Sequence, residues 1–290
     1  MLLRFRDDEQ STQKALSLYR ALCKTDDNPY LPLLEDENYG PEAAWLLASH
    51  ILKENPSKER VQEAEQLIFQ AALMENGSAI RHLQKKKQEL AREKLKQLQS
   101  ELQTNVLTSP FDPEYGTEVG LRHLEQIVLK GYPDALIGVG LTYSILAEKG
   151  DDTDRRLFLL HQLGANLDSP KCMWQLGLAY MLGEGTKQDD KQGIEWTKQA
   201  AERNICSAQN TMGIITEGNE RFEEAVDWYK RAIENATDDF KGDLCRAQSA
   251  KRLCAIYTEG RPSIAPDAEQ AAHWRSIQEE VEKRRPDLRD

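Results

Sequence analysis

One pattern limits what this chain can become: a small residue, an apolar residue four positions later, a small residue next, and a large one three beyond. It reads Cys172-Leu176-Gly177-Tyr180, and it recurs as Ala43-Leu47-Ala48-Ile51, Ala135-Val139-Gly140-Tyr143, Ala208-Met212-Gly213-Thr216 and Ser249-Leu253-Cys254-Tyr257. A weaker copy opens at Ala79-Leu83. The copies start at 43, 79, 135, 172, 208 and 249, so the steps are 36, 56, 37, 36 and 41 residues. Self-similarity at such a period marks a stacked array of small structural units.

A second motif follows each first one: a small residue, a large one at +3 and a small one at +7. It runs Ala64-Leu67-Ala71, Gly120-His123-Ile127, Leu157-Leu160-Gly164, Gly193-Trp196-Ala200, Ala225-Trp228-Ala232 and Ala271-Trp274-Gln278. Leu157 and Gln278 break the small-residue rule, and an unpaired copy, Ala15-Leu18-Leu22, lies near the N-terminus. Spacings of 3, 4, 7 and 8 place each set on one helical face. Each repeat is therefore predicted to be two antiparallel helices, A and B. A single hairpin cannot bury its apolar face, so the hairpins must stack. The predicted fold is all-α, a right-handed superhelical α-solenoid forming a single domain over 1–290. It comprises an N-terminal half-repeat at 9–24 and repeats at about 41–77, 79–130, 133–165, 170–204, 206–236 and 245–283, with a basic helical insertion at 84–116.

The local chemistry agrees. Gly177 and Ala200 lack bulk, so two backbones can approach closely, while Trp196 and Tyr180 fill the wedge between neighbouring pairs. Gly183 suits the left-handed end of helix A. Asp189 with Gln192 three residues on resembles a capping box that opens helix B. The segment "LGLAYMLGEGTKQDDKQGIEWTKQAAERN" resembles the Sel-one-like repeat (SLR) family, relatives of the tetratricopeptide arrays. Its pattern is A-x-x-x-L-G-x-x-Y-x-x-G-x-G followed by A-x-x-W-x-x-K-A-A-x-x-G. The match is strongest at 172–204, good at 208–235 and looser at 43–77, 135–164 and 249–278; repeat 79–130 lacks the glycine loop and carries about 20 extra residues. The resemblance implies a protein-binding scaffold, commonly an adaptor in bacterial signalling, host contact or toxin neutralisation. Some members carry paired cysteines in each repeat; this chain does not, which implies a reduced setting.

Composition narrows the function classes. Hydrophobic residues make up 39% and charged residues 30%, with a mean hydropathy of -0.67, as in a chain with much surface per residue. The net charge of -11 argues against general nucleic-acid binding, which needs a basic surface. No stretch approaches the 18 apolar residues of a membrane span. The N-terminus "MLLRFRDDEQ" turns acidic without an apolar core of the export-signal kind, so a cytoplasmic setting is expected, or a periplasmic one had a signal been removed. The five cysteines (Cys23, Cys172, Cys206, Cys245, Cys254) are odd in number and irregularly spaced, which suits reduced thiols.

Catalytic constellations are weak. His50, His82, His123, His161 and His273 fall on different helices with no two at metal spacing, and His123 takes the B-helix position held elsewhere by Trp. "GVGLTY" has two of the three glycines of a dinucleotide fingerprint and lies in a helix A. "GDDTDRR" begins like a calcium loop without its sixth-position glycine or twelfth-position glutamate. The sequons at Asn76 and Asn235 matter only in a secreted eukaryotic protein. No metal and no cofactor are expected, and the chain is expected not to be an enzyme. An undetected acidic pair in a hydrolase is the remote alternative.

Two features rise above packing. The first is basic. Residues 79–104 carry Arg81, Lys85, Lys86, Lys87, Arg92, Lys94 and Lys96 against three Glu, a net +4 on an acidic body. Such an arm suits an acidic partner, or it is a solvated charged helix. The second is apolar. At 100° per residue, position +6 of helix A points away from the hairpin and +2 lies beside its face. The +2 positions are Trp45, Arg81, Ile137, Trp174, Asn210 and Lys251; the +6 positions are Ser49, Lys85, Leu141, Leu178, Ile214 and Ala255. In stacked hairpins the A helices line the concave side. Trp45, Ile137, Leu141, Trp174, Leu178 and Ile214 are therefore the expected contact residues for one or more partner proteins. Cover by neighbouring A helices is the competing account. An immunity-type protein that neutralises a secreted bacterial toxin or effector is the more specific alternative to an adaptor.

Overall fold

The computed structural model describes residues 40–53, 56–89, 127–146 and 151–286. The N-terminal half-repeat at 9–24, the insertion beyond residue 89 and its Arg92, Lys94 and Lys96 lie outside the described residues, as do Cys23 and His123. The described residues form eleven helices: α1 (Gly40–Lys53), α2 (Lys58–Leu73), α3 (Gly77–Glu89), α4 (Ala135–Leu146), α5 (Asp151–Asn166), α6 (Pro170–Leu182), α7 (Asp190–Glu202), α8 (Cys206–Gly218), α9 (Phe222–Glu234), α10 (Phe240–Glu259) and α11 (Ala268–Arg284). Among these residues the β-type pairing is a single bridge, Arg261 with Ile264. The fold is all-α, an α-solenoid built of helix hairpins.

The chain divides into two compact units, the first holding Met1–Lys149 with Gln162–Leu167 and the second Gly150–His161 with Asp168–Asp290. In the first unit α1 and α2 pack as a hairpin, and α3 packs on α2. Their contact faces follow helical spacing: Ala44, Leu47, Ala48 and Ile51 on α1, Ala64, Leu67, Ile68 and Ala71 on α2, and Ala79 and Leu83 on α3 are all buried. The Ser57 hydroxyl accepts from Arg60 N at 3.4 Å to open α2, and Asn76 Oδ1 accepts from Ala79 N at 2.9 Å to open α3. These side chains satisfy donors that the helix itself leaves unpaired.

The second unit contains three hairpins, α6–α7, α8–α9 and α10–α11, with α7 packed on α8 and α9 on α10. Aspartates open the B helices α7 and α11 and the A helix α10: Asp189, Asp267 and Asp239 accept from the backbone N–H of Gln192, Gln270 and Gly242 at 3.0, 3.0 and 2.8 Å. Gln192 reaches back at 3.1 Å, but to the Asp189 carboxylate rather than to its backbone N–H. Gly183 ends α6 at φ 73°, a left-handed turn in which its N–H bonds Ala179 O. Asp189 N then donates to Tyr180 O at 2.9 Å, closing the loop between the two helices.

The paired glycines explain how α6 and α7 come so close. A Cβ added at Gly177 would lie 2.3 Å from Thr197 Oγ1 and 2.8 Å from Gly193 O, and one at Gly193 would meet Gly177 O at 2.8 Å. In the next hairpin the Gly213 position faces the Tyr229 ring, whose Cε1 would lie 2.4 Å from an added Cβ. Tyr229 is fully buried and joins Ala225, Val226, Leu253, Ile256 and Trp274 in one apolar cluster. The position marked by small residues in the repeat is therefore where helix A meets helix B. Of the B-helix tryptophans, Trp228 and Trp274 are buried and Trp196 is half-buried.

Candidate functional site

The A helices of the second unit, α6, α8 and α10, are joined by side-chain hydrogen bonds rather than by apolar packing alone. Trp174 Nε1 lies 3.3 Å from Thr211 Oγ1, bridging α6 and α8. Asn210 accepts from Ser249 Oγ at 2.9 Å and donates to Gln248 at 3.3 Å, bridging α8 and α10. Asn210 is buried as a result, and Trp174 is half-buried. The +2 residues Trp174 and Asn210 therefore face a neighbouring A helix, whereas Lys251, the +2 residue of α10, is exposed.

The +6 positions are more open. Ile214 on α8 is 44% exposed, and Leu178 on α6 is half-buried. Trp174, Leu178 and Ile214 thus lie on adjacent A helices of one unit: the indole bridges the helices, and Leu178 and Ile214 stand one turn after Trp174 and Asn210. In the first unit Leu141 on α4 is 41% exposed and Ile137 is half-buried. Trp45 on α1 is half-buried, its ring centred 5.8 Å from that of His82. Burial and the nearby Lys86 push the His82 imidazole below its ordinary value.

The described part of the basic segment divides by role. Arg81, Lys85 and Lys86 on α3 are exposed. Lys85 sits 3.7 Å from Glu89, an exposed pair one turn apart that contributes little by itself. Lys87 instead donates to Leu167 O at 3.0 Å, beside Gln84, which donates to Asn166 O at 2.8 Å. Lys87 therefore holds backbone, while Lys85 and Lys86 present charge to solvent.

Several polar groupings escaped sequence reasoning. Asp243, nearly buried on α10, accepts from Arg246 at 3.0 Å, from Arg285 at 3.3 Å and from Arg284, tying the end of α11 to α10. Glu217 accepts from the Tyr229 hydroxyl at 2.7 Å, with Arg252 and Arg261 at about 4 Å. Cys206 and Cys245 are paired across α8 and α10, each thiol shifting the other's acidity, and Cys245 Sγ donates to Ala232 O at 4.0 Å. A 39-residue offset common to Cys206 with Cys245 and Asn210 with Ser249 was the available signal for that last pairing. Among the described residues no cluster of three or more His, Cys, Asp or Glu could hold a metal ion, and no helix is long and apolar enough to cross a membrane.

Comparison with known proteins gives the following. The Sel1 repeat model matches residues 170–205, 213–236 and 247–274, the hairpins of the second unit. An uncharacterised protein of Neisseria meningitidis serogroup B is 30% identical over 103 residues; the match covers 36% of this chain and 20% of that protein's length. Among solved structures, a Sel1 repeat protein from Oxalobacter formigenes aligns over 96% of this chain and 81% of its own, at 18% identity and a TM-score of 0.47. A protective antigen of uropathogenic Escherichia coli displaying an SLR fold aligns over 94% and 63%, at 18% identity and a TM-score of 0.48. An immunity protein of Pseudomonas aeruginosa aligns over 92% and 90%, at 17% identity and a TM-score of 0.42.

Proposed function

We propose that this chain, which carries Sel1 repeats over residues 170–274, is a non-enzymatic scaffold that docks a partner protein on the A-helix face of its second unit. Sel1 repeats typically mediate protein–protein interaction. The observation that carries the reading is the placement of Trp174, Leu178 and Ile214 on adjacent A helices. The repeat needs small residues at its helix contacts, yet it holds large apolar side chains where helix A faces outward, and Ile214 keeps 44% of its surface in water. A tryptophan flanked by aliphatics at the centre of a contact is the usual form of a binding hot spot. In the first unit, Trp45, Ile137 and Leu141 are separate candidate contacts.

Exposed Lys85 and Lys86 would favour a partner with an acidic rim, while the net charge of -11 leaves the rest of the body suited to a basic one. A toxin-neutralising antidote is the second reading; the acidic body, fit to cover a basic surface, favours it. The test is affinity isolation from the native cell with the wild type and a Leu178→Asp/Ile214→Asp variant. The expected result is one or a few proteins held by the wild type and lost from the variant, with thermal unfolding unchanged. Identical sets held by both would refute the docking face.

A further inference from the structure

Cys206 is the first residue of α8, and Cys245 lies in the second turn of α10. One turn further along each helix stand Asn210 and Ser249, joined at 2.9 Å. Two neighbouring helices whose residues meet at one turn bring together the residues four positions earlier, because the i and i+4 side chains share a face. The Cys245 thiol donates to Ala232 O at 4.0 Å, and the two thiols are close enough to shift one another's acidity. Both are free thiols; Cys245 is buried and Cys206 half-exposed. This is an asymmetric pair, one sulfur reachable from solvent and its partner directly behind it.

We infer that Cys206 and Cys245 form an oxidant-reactive thiol pair, with Cys206 the nucleophile and Cys245 the resolving thiol, closing to a disulfide between α8 and α10 when a hydroperoxide is present. The surroundings support that division. The neighbouring Cys245 thiol, together with the Ser207 hydroxyl and N–H, lowers the Cys206 thiol below the ordinary thiol range against the opposing effects of burial and Asp239. The partial positive charge at a helix N-terminus acts in the same direction. The neighbouring Cys206 thiol, and then burial, push Cys245 up, so it stays protonated. Cys206 thus ionises more readily than an ordinary thiol, beside a thiol that keeps its proton.

The chemistry balances. With hydrogen peroxide, the Cys206 thiolate attacks one peroxide oxygen, the O–O bond breaks, and with one proton taken up a sulfenic acid and a water result. The Cys245 sulfur then displaces the hydroxyl from Cys206, the S–S bond forms, and the thiol proton leaves with the hydroxide as a second water. Two thiols are oxidised and one peroxide is reduced. The bond would lock α8 to α10 beside the face that carries Ile214, and this assignment holds whether or not that face binds a partner.

The test uses the full chain, reduced, freed of reductant and exposed to a small excess of hydrogen peroxide at neutral pH. Peptide mapping after thiol alkylation should locate a Cys206–Cys245 cross-link with the loss of two hydrogens, reversed by dithiothreitol. The melting temperature should rise by about 5–10 °C, because a cross-link restricts the unfolded chain. A Cys245→Ser variant should stop at a Cys206 sulfenic acid captured by dimedone. Should that variant fail to fold, the wild type answers alone: Cys206 should alkylate faster than Cys254, with a midpoint below the ordinary thiol range. A cross-link elsewhere, a chain left reduced, or Cys206 alkylating no faster than Cys254 would overturn the proposal.

Discussion

Replacing Gly177 with alanine adds one methyl group at the closest point between α6 and α7, and the structure sets the sign of the outcome. In an open helix this change stabilises by about 1 kcal/mol, because alanine costs less backbone entropy than glycine. At Gly177 the new Cβ would lie 2.3 Å from Thr197 Oγ1 and 2.8 Å from Gly193 O. The first atom belongs to a β-branched, fully buried side chain and the second to backbone, so neither can swing aside. The helices must separate, and overpacking of this kind costs about 1–3 kcal/mol. Since the obstacle is backbone, the upper end applies, and the net loss is about 2 kcal/mol after the propensity gain. That corresponds to a melting point lower by about 3 °C in a chain of this size. The control is Gly218→Ala at the end of α8, where nothing lies within 4 Å of the added atom. There the same change should leave stability unchanged or slightly raised. Thermal and urea unfolding of the two variants beside the wild type decide the matter. Gly177→Ala at or above wild-type stability would refute the idea that this glycine exists for the helix contact.

Four further outcomes follow from particular contacts. Trp174→Ala should cost about 1–2 kcal/mol of stability, since the ring is half-buried and bridges to Thr211, and should weaken partner binding a further thirtyfold or so; calorimetry at matched folded fraction separates the two. Asp243→Ala should cost about 3 kcal/mol by leaving Arg246, Arg284 and Arg285 without their shared carboxylate, read as a lower urea midpoint and early loss of protection in α11. Burial lowers the His161 imidazole from 6.5 to about 4, so the unfolded chain takes up its proton first. Stability should therefore fall as pH drops from 6.5 towards 4, and His161→Phe should flatten that slope. Lys85→Glu/Lys86→Glu should slow association with an acidic-rimmed partner and weaken its salt dependence without a melting shift, measured by stopped-flow at two ionic strengths.

What could be read in the sequence was what local sterics decide. The period and the small-residue positions identify the helix pairs because a glycine such as Gly177 is needed wherever backbones approach within a Cβ radius. Gly183 and Asp189 were legible as caps because capping involves residues within a turn of one another. The outward face was harder. Helical angles put Asn210 and Trp174 at the same slot, yet Asn210 is buried against Ser249 and Gln248, while Ile214, four residues on, is open. The angle within one helix does not say how far the next A helix covers it; that depends on the tilt between hairpins, which each repeat sets with its own side chains. The same holds for Asp243. Its arginine partners Arg284 and Arg285 lie 41 and 42 residues away, and only the return of α11 along α10 brings them to it. Lys87 looked like its exposed neighbours because nothing local marks the Leu167 carbonyl as its partner.

The two glycine contacts also bear on how such arrays can be edited. Gly177 meets a backbone oxygen and a threonine, with glycine at 193, whereas Gly213 meets a tyrosine ring, with alanine at 225. Thr197 and Tyr229 occupy the same place in their motifs, one residue beyond Trp196 and Trp228. Each helix A is thus fitted to its own helix B, and the fits differ between adjacent copies. Transplanting α9 in place of α7 would drive an aromatic ring into a space shaped for a threonine. Moving α8 and α9 together would keep the fit. The hairpin is therefore the smallest piece that duplication or recombination can shuffle without repair, and designed lengthening of the array should insert whole A–B pairs, cut in the loops that precede Cys206 and follow Glu234.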